Sequence, residues 1–266
     1  MSKTYLILSG KGGVGKSTTA VSLAAAFSER GLSCAIMDGD VGLRCADLML
    51  NMQDKIVYDF MDLCEGDCSL EDALYDVPWM GPGRVSLLAT SQMLRASQVR
   101  PKDVKKITEE MKKHFGAVII DGPAGIGRNL KVLIDASDEC IMVATPDDIS
   151  LRDAEKAGEL LREHEKDHAW LVLNRLDPYL VRSGVISAPK DISTALDMPL
   201  LGVIPDSPEI YPAMLRRCCA YYSGDRKVKK AYDQTVSRLL GADIQFRDIK
   251  MSPVIRFFSR WRGERE

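Results

Sequence analysis

The chain has 266 residues, 45% of them hydrophobic and 28% charged, enough apolar material for a packed core, which excludes wholesale disorder. Lys plus Arg number 36 against 38 Asp plus Glu, but unevenly: residues 246–266 carry six cations and three anions, net +3, leaving −5 on the other 245. An acidic body is a poor general nucleic-acid binder, whereas a basic end seeks anionic lipid or phosphate. Seven cysteines, an odd number, and the brief run Tyr5-Leu6-Ile7-Leu8 in place of a secretory leader predict reduced thiols and a cytoplasmic setting. No apolar run approaches the roughly 18 residues of a membrane-spanning helix, so any membrane contact is expected to be peripheral.

Short apolar, β-branched runs recur at 4–9, 34–37, 85–89, 117–120, 140–144, 169–173 and 200–204. Most lack in/out alternation, as strands buried on both faces do. Helical spacing marks 17–30, 101–115, 150–164 and 226–240. The alternation predicts a doubly wound α/β fold, a mainly parallel sheet with helices on both faces, as one domain over residues 1–241. Periodicity fades from 241 to 252, which predicts a tether over 242–252 leading to a terminal segment over 253–266.

After the first predicted strand stands Gly10-Lys11-Gly12-Gly13-Val14-Gly15-Lys16-Ser17-Thr18. It fits the G-x-x-x-x-G-K-[ST] phosphate loop, at the strand-to-helix junction where such a loop works. Its glycines let backbone N–H groups face phosphates, and the helix starting near Lys16 adds the positive end of its dipole. Lys16 is placed to contact the β- and γ-phosphates and the Ser17 hydroxyl to ligate Mg²⁺, so the expected cofactors are ATP and Mg²⁺. Asp38 and Asp40 end the second strand and Asp121 caps the strand 117–120. At the carboxyl edge of a parallel sheet, such acids organise a cation or a water.

The general pattern does not require Lys11. With Lys11–Ser17 reading KGGxGK[ST], the chain resembles the deviant Walker A ATPases of the ParA–MinD family, and most closely the septum-placing MinD branch. Gly42-Leu43-Arg44, Val57-Tyr58-Asp59-Phe60, Thr145-Pro146, Arg152-Asp153-Ala154 and Leu201-Gly202-Val203-Ile204-Pro205 recur at matching positions. The likeness spans roughly residues 3–245 plus the C-terminal segment. It implies a P-loop NTPase fold, hydrolysis of ATP to ADP and phosphate, and an ATP-dependent homodimer with two nucleotides sandwiched between the subunits. In that dimer each Lys11 reaches the other subunit's phosphates, as an arginine finger does. The resemblance further implies that Asp40 positions the attacking water and that Asp38 lies near the Mg²⁺ sphere. Asp121 with Gly122-Pro123-Ala124-Gly125-Ile126 looks like the family's switch, departing from it at Gly122, where Ser or Cys is common, and at Gly127, where MinD members usually carry Glu. By the same resemblance Asn174, Pro205 and Asp206 belong to the adenine pocket. The resemblance also implies that Arg152 and Asp153 belong to the dimer face met by the inhibitor MinC and the activator MinE.

After Pro253, residues Val254, Phe257, Phe258 and Trp261 fall at i, i+3, i+4 and i+7, with Ile255 beside them and Arg256, Arg260 and Arg262 off the stripe. This is an amphipathic helix with a basic polar side. Three bulky aromatics beside arginines, after a tether, predict an interfacial anchor in anionic lipid rather than docking on the parent domain. The resemblance agrees and places it on the inner face of the cell membrane.

Other patterns carry less. His164-Glu165-Lys166-Asp167-His168 fits H-E-x-x-H of zinc proteases, but it sits at the polar end of a helix without a third ligand nearby. Cys64-x-x-x-Cys68 and Cys218-Cys219 lack zinc spacing and read as buried thiols. The nitrogenase iron protein, which shares the loop, needs a cysteine soon after the switch aspartate, and residues 122–139 hold none. Arg226, Lys227, Lys229 and Lys230 read as a solvated helix face, so specific nucleic-acid binding is not expected. The alternative functions are a DNA-partitioning ATPase, which would use such a patch, and a nucleotide-binding recruitment scaffold without useful turnover.

Overall fold

The computed structural model describes residues 2–40, 45–91, 100–166, 169–246 and 249. Among them are the strands β1 Lys3–Ser9, β2 Cys34–Asp38, β3 Leu74–Asp76, β4 Val85–Leu88, β5 Ala117–Ala124, β6 Glu139–Ala144, β7 Ala169–Leu176 and β8 Leu200–Pro205. They form one sheet in the order β3-β4-β2-β5-β1-β6-β7-β8. Neighbours run parallel except β3, which is antiparallel to β4. The helices are α1 Lys16–Ser28, α2 Cys45–Met49, α3 Phe60–Glu65, α4 Leu70–Ala73, α5 Pro101–His114, α6 Arg128–Ala136, α7 Asp148–Glu163, α8 Pro178–Arg182, α9 Pro189–Ala195, α10 Ile210–Leu215 and α11 Arg226–Leu239.

Each face of the sheet has its own apolar layer. Tyr5 and Ile7 of β1 join Ile36, Leu87 and Ile119 in packing against α1 and against Val228, Tyr232 and Val236 of α11. Leu6 and Leu8 turn to the other face, where Val104 and Met111 of α5, Leu130 and Ile134 of α6 and Ala157 and Leu161 of α7 cover them. Successive residues of β1 thus enter opposite cores, which is why its sequence lacks polar alternation. The strand absent from the sequence reading is β3. Its three residues are half-buried or exposed, too short a run to carry a period.

The helix α1 is covered on nearly every side, with Ala24, Ala25 and Ala26 each 0% exposed. Only small side chains fit between the sheet and α11 at native packing density. The expected tether begins against the domain: Arg238 Nε donates to the Ile244 carbonyl at 2.8 Å, and its guanidinium lies 3.6 Å from the centre of the Phe246 ring. The anchor residues Val254, Ile255, Phe257, Phe258 and Trp261, with Gly42-Leu43-Arg44 and His168, lie outside the described residues. All seven cysteines are free thiols. No helix among the described residues is long and apolar enough to cross a membrane.

Overpacking a full core costs about 1–3 kcal/mol. Ala24→Leu should therefore lower the thermal midpoint by several degrees; an unchanged midpoint would mean that α1 has room the packing denies it.

Candidate functional site

The loop between β1 and α1 sits at the centre of the sheet's carboxyl edge. Gly15 precedes α1 without supplying a side-chain cap, so the first-turn N–H groups are available to an outside anion. Beside them Lys16 Nζ donates to Asp121 Oδ1 at 2.9 Å and lies 3.5 Å from Ser17 Oγ. The side chains of Lys16 and Asp121 are 8% and 0% exposed. Asp121 Oδ2 is buried with no hydrogen-bond partner among the described residues.

Sheet register assembles the other acids. Asp38 stands opposite Asp121 across β2 and β5. Asp38 Oδ1 accepts from the Asp40 N–H at 3.0 Å and Oδ2 from the Ala46 N–H at 3.2 Å. Burial, and after it the charge of Asp121, push the Asp38 carboxyl up to about 7, against the pull of those two N–H groups. Burial also raises half-buried Asp40, with Lys16 opposing and Asp121 reinforcing. One lysine thus faces more carboxylate than it can balance. Mg²⁺ is held by one or two carboxylates, substrate phosphates and water rather than by an all-protein cage. The spare Asp121 oxygen and the Ser17 hydroxyl fit that chemistry. Among the described residues no group of three His, Cys, Asp or Glu forms a cage by itself.

Lys11 is half-buried and bonds Asp147 Oδ1 at 3.2 Å within the same chain. Burial acts upward on Asp147, but the Thr145 hydroxyl, the Ser150 N–H and Lys11 together hold it below the usual carboxylate range. Asp147, the partner of Lys11, is absent from the sequence reading, which began the helix at Ser150. The signal was its spacing, since an Asp three residues before Ser150 caps α7. The backbone of Asp153 packs on the loop itself: a Cβ on Gly10 would stand 2.2 Å from the Asp153 carbonyl carbon and oxygen. Arg152 is exposed beside it. The expected partner face and the phosphate loop are therefore in direct contact.

The other expected positions are more scattered. Asn174 is buried and donates through Nδ2 to the Val14 carbonyl at 2.8 Å, which ties β7 to the loop. Pro205 and Asp206 lie at the end of the edge strand, where the Asp206 N–H donates to the Leu176 carbonyl at 3.0 Å. At Gly122 a Cβ would meet the Ile7 carbonyl at 2.8 Å, so β1 leaves no room there for a larger residue. Gly127 precedes α6 without a side-chain cap. His164 ends α7 and pairs through Nδ1 with Asp135 at 2.7 Å. The basic run on α11 is not one solvated face: Lys229 pairs with Glu29 at 3.7 Å and lies 4.9 Å above the Tyr221 ring.

The raised Asp38 carboxyl favours the neutral form in the folded state. Its contribution to the stability of the nucleotide- and metal-free protein is thus retained at low pH and lost as pH rises through about 7. The thermal midpoint of Asp38→Asn relative to the parent should climb between about pH 4 and pH 7; a difference that stays flat with pH would show Asp38 to be ionised throughout.

Comparison with known proteins gives consistent likenesses. The ParA family profile, described as NUBPL iron-transfer P-loop NTPase, matches residues 1–240. The septum site-determining protein MinD of Helicobacter pylori is 32% identical over 270 residues, covering 99% of each chain. A chain of the MinC:MinD cell division protein complex of Aquifex aeolicus superposes with a TM-score of 0.83 at 27% identity, over 92% of this chain and 98% of that one. The septum site-determining protein MinD complexed with Mg-ADP from Pyrococcus horikoshii gives 0.78 at 28%, over 92% and 100%. With its two-lysine loop set over a carboxylate cluster, the chain belongs to the ParA–MinD family of P-loop NTPases.

Proposed function

We propose that this is a MinD-type, Mg²⁺-dependent ATPase that dimerises on binding ATP, lies peripherally on the inner face of the cell membrane and helps to place the division septum. One observation carries the reading: a buried Lys16–Asp121 pair with an unpartnered carboxylate oxygen, beneath an uncapped helix N-terminus. A triphosphate offers Lys16 more acceptors than one carboxylate does, which leaves Asp121 for a cation. Ser17 and Asp121, with Asp38 behind them, would hold Mg²⁺, which when bound neutralises β- and γ-phosphate oxygens. Asp40 accepts a hydrogen bond from the water whose oxygen attacks the γ-phosphorus. The bond to the β–γ bridging oxygen breaks, and ADP and phosphate leave.

Lys16 stabilises the charge in cis and Lys11 of a second copy does so in trans. Lys11 must first leave Asp147, a half-exposed pair of the kind worth little in water. Exposed Ile126, after β5, and Ile149, in the first turn of α7, give the second copy apolar surface on the same edge. Arg152 and Asp153 would present this state to a MinC-like inhibitor and a MinE-like activator, and Asn174, Pro205 and Asp206 would bound the adenine.

Partial insertion of one terminal helix, at roughly −4 kcal/mol net, gives about millimolar affinity. Two helices on one dimer gain a further factor of about 10²–10⁴ from effective concentration. Nucleotide state then decides membrane state.

Lys11→Ala and Asp40→Ala should each lose hydrolysis by about 10³-fold. Their mixture should regain a clear share of it, because a mixed dimer keeps one site with both groups; no regain would place Lys11 in cis. Co-sedimentation with lipid vesicles should require ATP and be lost in Trp261→Glu, and equal binding in ADP and ATP would sink the anchor mechanism.

A further inference from the structure

A groove of about 1050 Å³ runs along β8, walled by α8, α9 and α11 and lined also by Gln245, Phe246 and Ile249. β8 is the edge strand among the described residues, so this side of it has no neighbouring strand there. Leu200 and Val203 of β8 are half-buried and form an apolar floor. Among the described residues, Arg182, Lys190, Lys227, Lys230 and Arg238 line the groove against Asp191. A body of net charge −5 thus gathers an excess of described cations in one groove.

Some of these cations are already engaged. Arg238 holds the Leu201 and Ile244 carbonyls. Lys227 and Lys230, three apart on α11, share a face. Among the described residues Lys230 has no acidic partner, and Lys227 has only Asp225, whose carboxylate already accepts from the Ser207 hydroxyl and two α11 N–H groups.

The chain itself argues for the occupant. Ile249 lines the groove and Pro253, where the amphipathic segment starts, is four residues on. Four residues reach at most about 14 Å, so a helix lying in the lipid interface holds this groove against the headgroups. The tail is a poor occupant, since residues 250–266 carry Lys250, Arg256, Arg260, Arg262 and Arg265 against Glu264 and Glu266, the same sign as the groove. Tail and groove seek the same anionic surface.

We propose that the β8-edge groove is a second membrane contact, in which Lys227 and Lys230 take the phosphate of an anionic phospholipid and its apolar part lies over Val203 and Phe246. The assignment rests on the anchoring role given above to the terminal helix. It adds a contact in the ATPase body that orients the protein on the bilayer. The groove meets the expected adenine pocket only at Pro205.

The test is co-sedimentation of the full chain, with ATP and Mg²⁺, on mixed phosphatidylglycerol and phosphatidylcholine vesicles and on phosphatidylcholine alone. Lys227→Gln/Lys230→Gln should weaken association with the anionic vesicles about tenfold or more, while Lys105→Gln/Lys106→Gln, an equal loss of charge on exposed α5, changes it less than about twofold. Equal effects of the two pairs, with Trp261→Glu still releasing the protein, would overturn the groove and leave the anchor standing. Binding unchanged in Trp261→Glu would remove both. Loss of ATP affinity in Lys227→Gln/Lys230→Gln would assign the groove to the nucleotide site instead. Unchanged vesicle binding with salt-sensitive capture of polyglutamate would assign it to an acidic protein. Either result overturns the lipid assignment.

Discussion

Among the described residues, a buried lysine outnumbered by carboxylates marks the carboxyl edge of this sheet. Lys16 is paired with Asp121, while Asp38 stands beside that aspartate and Asp40 lies near enough to feel both. Burying charge carries a desolvation penalty that a single pair repays only in part, and part of the excess is relieved by holding Asp38 toward its neutral form. Phosphates alone would deepen the imbalance. In the proposed reaction, phosphates arriving with a divalent cation would resolve it, Lys16 turning to the nucleotide and the freed Asp121 to the metal. A joint requirement for Mg²⁺ and nucleotide would then follow from the charge balance of the apo site.

The fold links this site to two further surfaces. On one side, α7 presses its backbone on Gly10 and its capping aspartate holds Lys11. The loop and Lys11 thus both contact the helix that carries Arg152 and Asp153. On the other side, α1 leaves the phosphate loop packed against α11, and Ile244 and Phe246, after α11, contact Arg238 of that helix. The loop, the expected partner face and the residues after α11 are joined by elements that touch.

Much of this was legible in the sequence, for identifiable reasons. Strands such as 117–120 announce themselves because both of their faces are buried, and the phosphate loop because its spacing is fixed by the ligand it wraps. The helix at 226–240 showed its period, but its basic run looked uniform, since sequence spacing does not tell that Lys229 lies on Tyr221 while Lys227 and Lys230 face a groove. β3 has too few residues and too little burial to mark itself. The pairing of Lys11 with Asp147 and the close approach of Asp153 to Gly10 join positions far apart in the chain, and only the packing of α7 beside β1 brings them together. The departure at Gly122 has a steric reason in the neighbouring strand, which no linear pattern carries.

In the proposed cycle, nucleotide and metal claim Lys16 and Asp121 and so let two copies close on one another. Sedimentation equilibrium of the full chain reads that closure. Saturating ATP with Mg²⁺, under conditions that prevent turnover, should give twice the mass of one chain, with a single-chain mass in ADP. A single-chain mass in both would contradict the account.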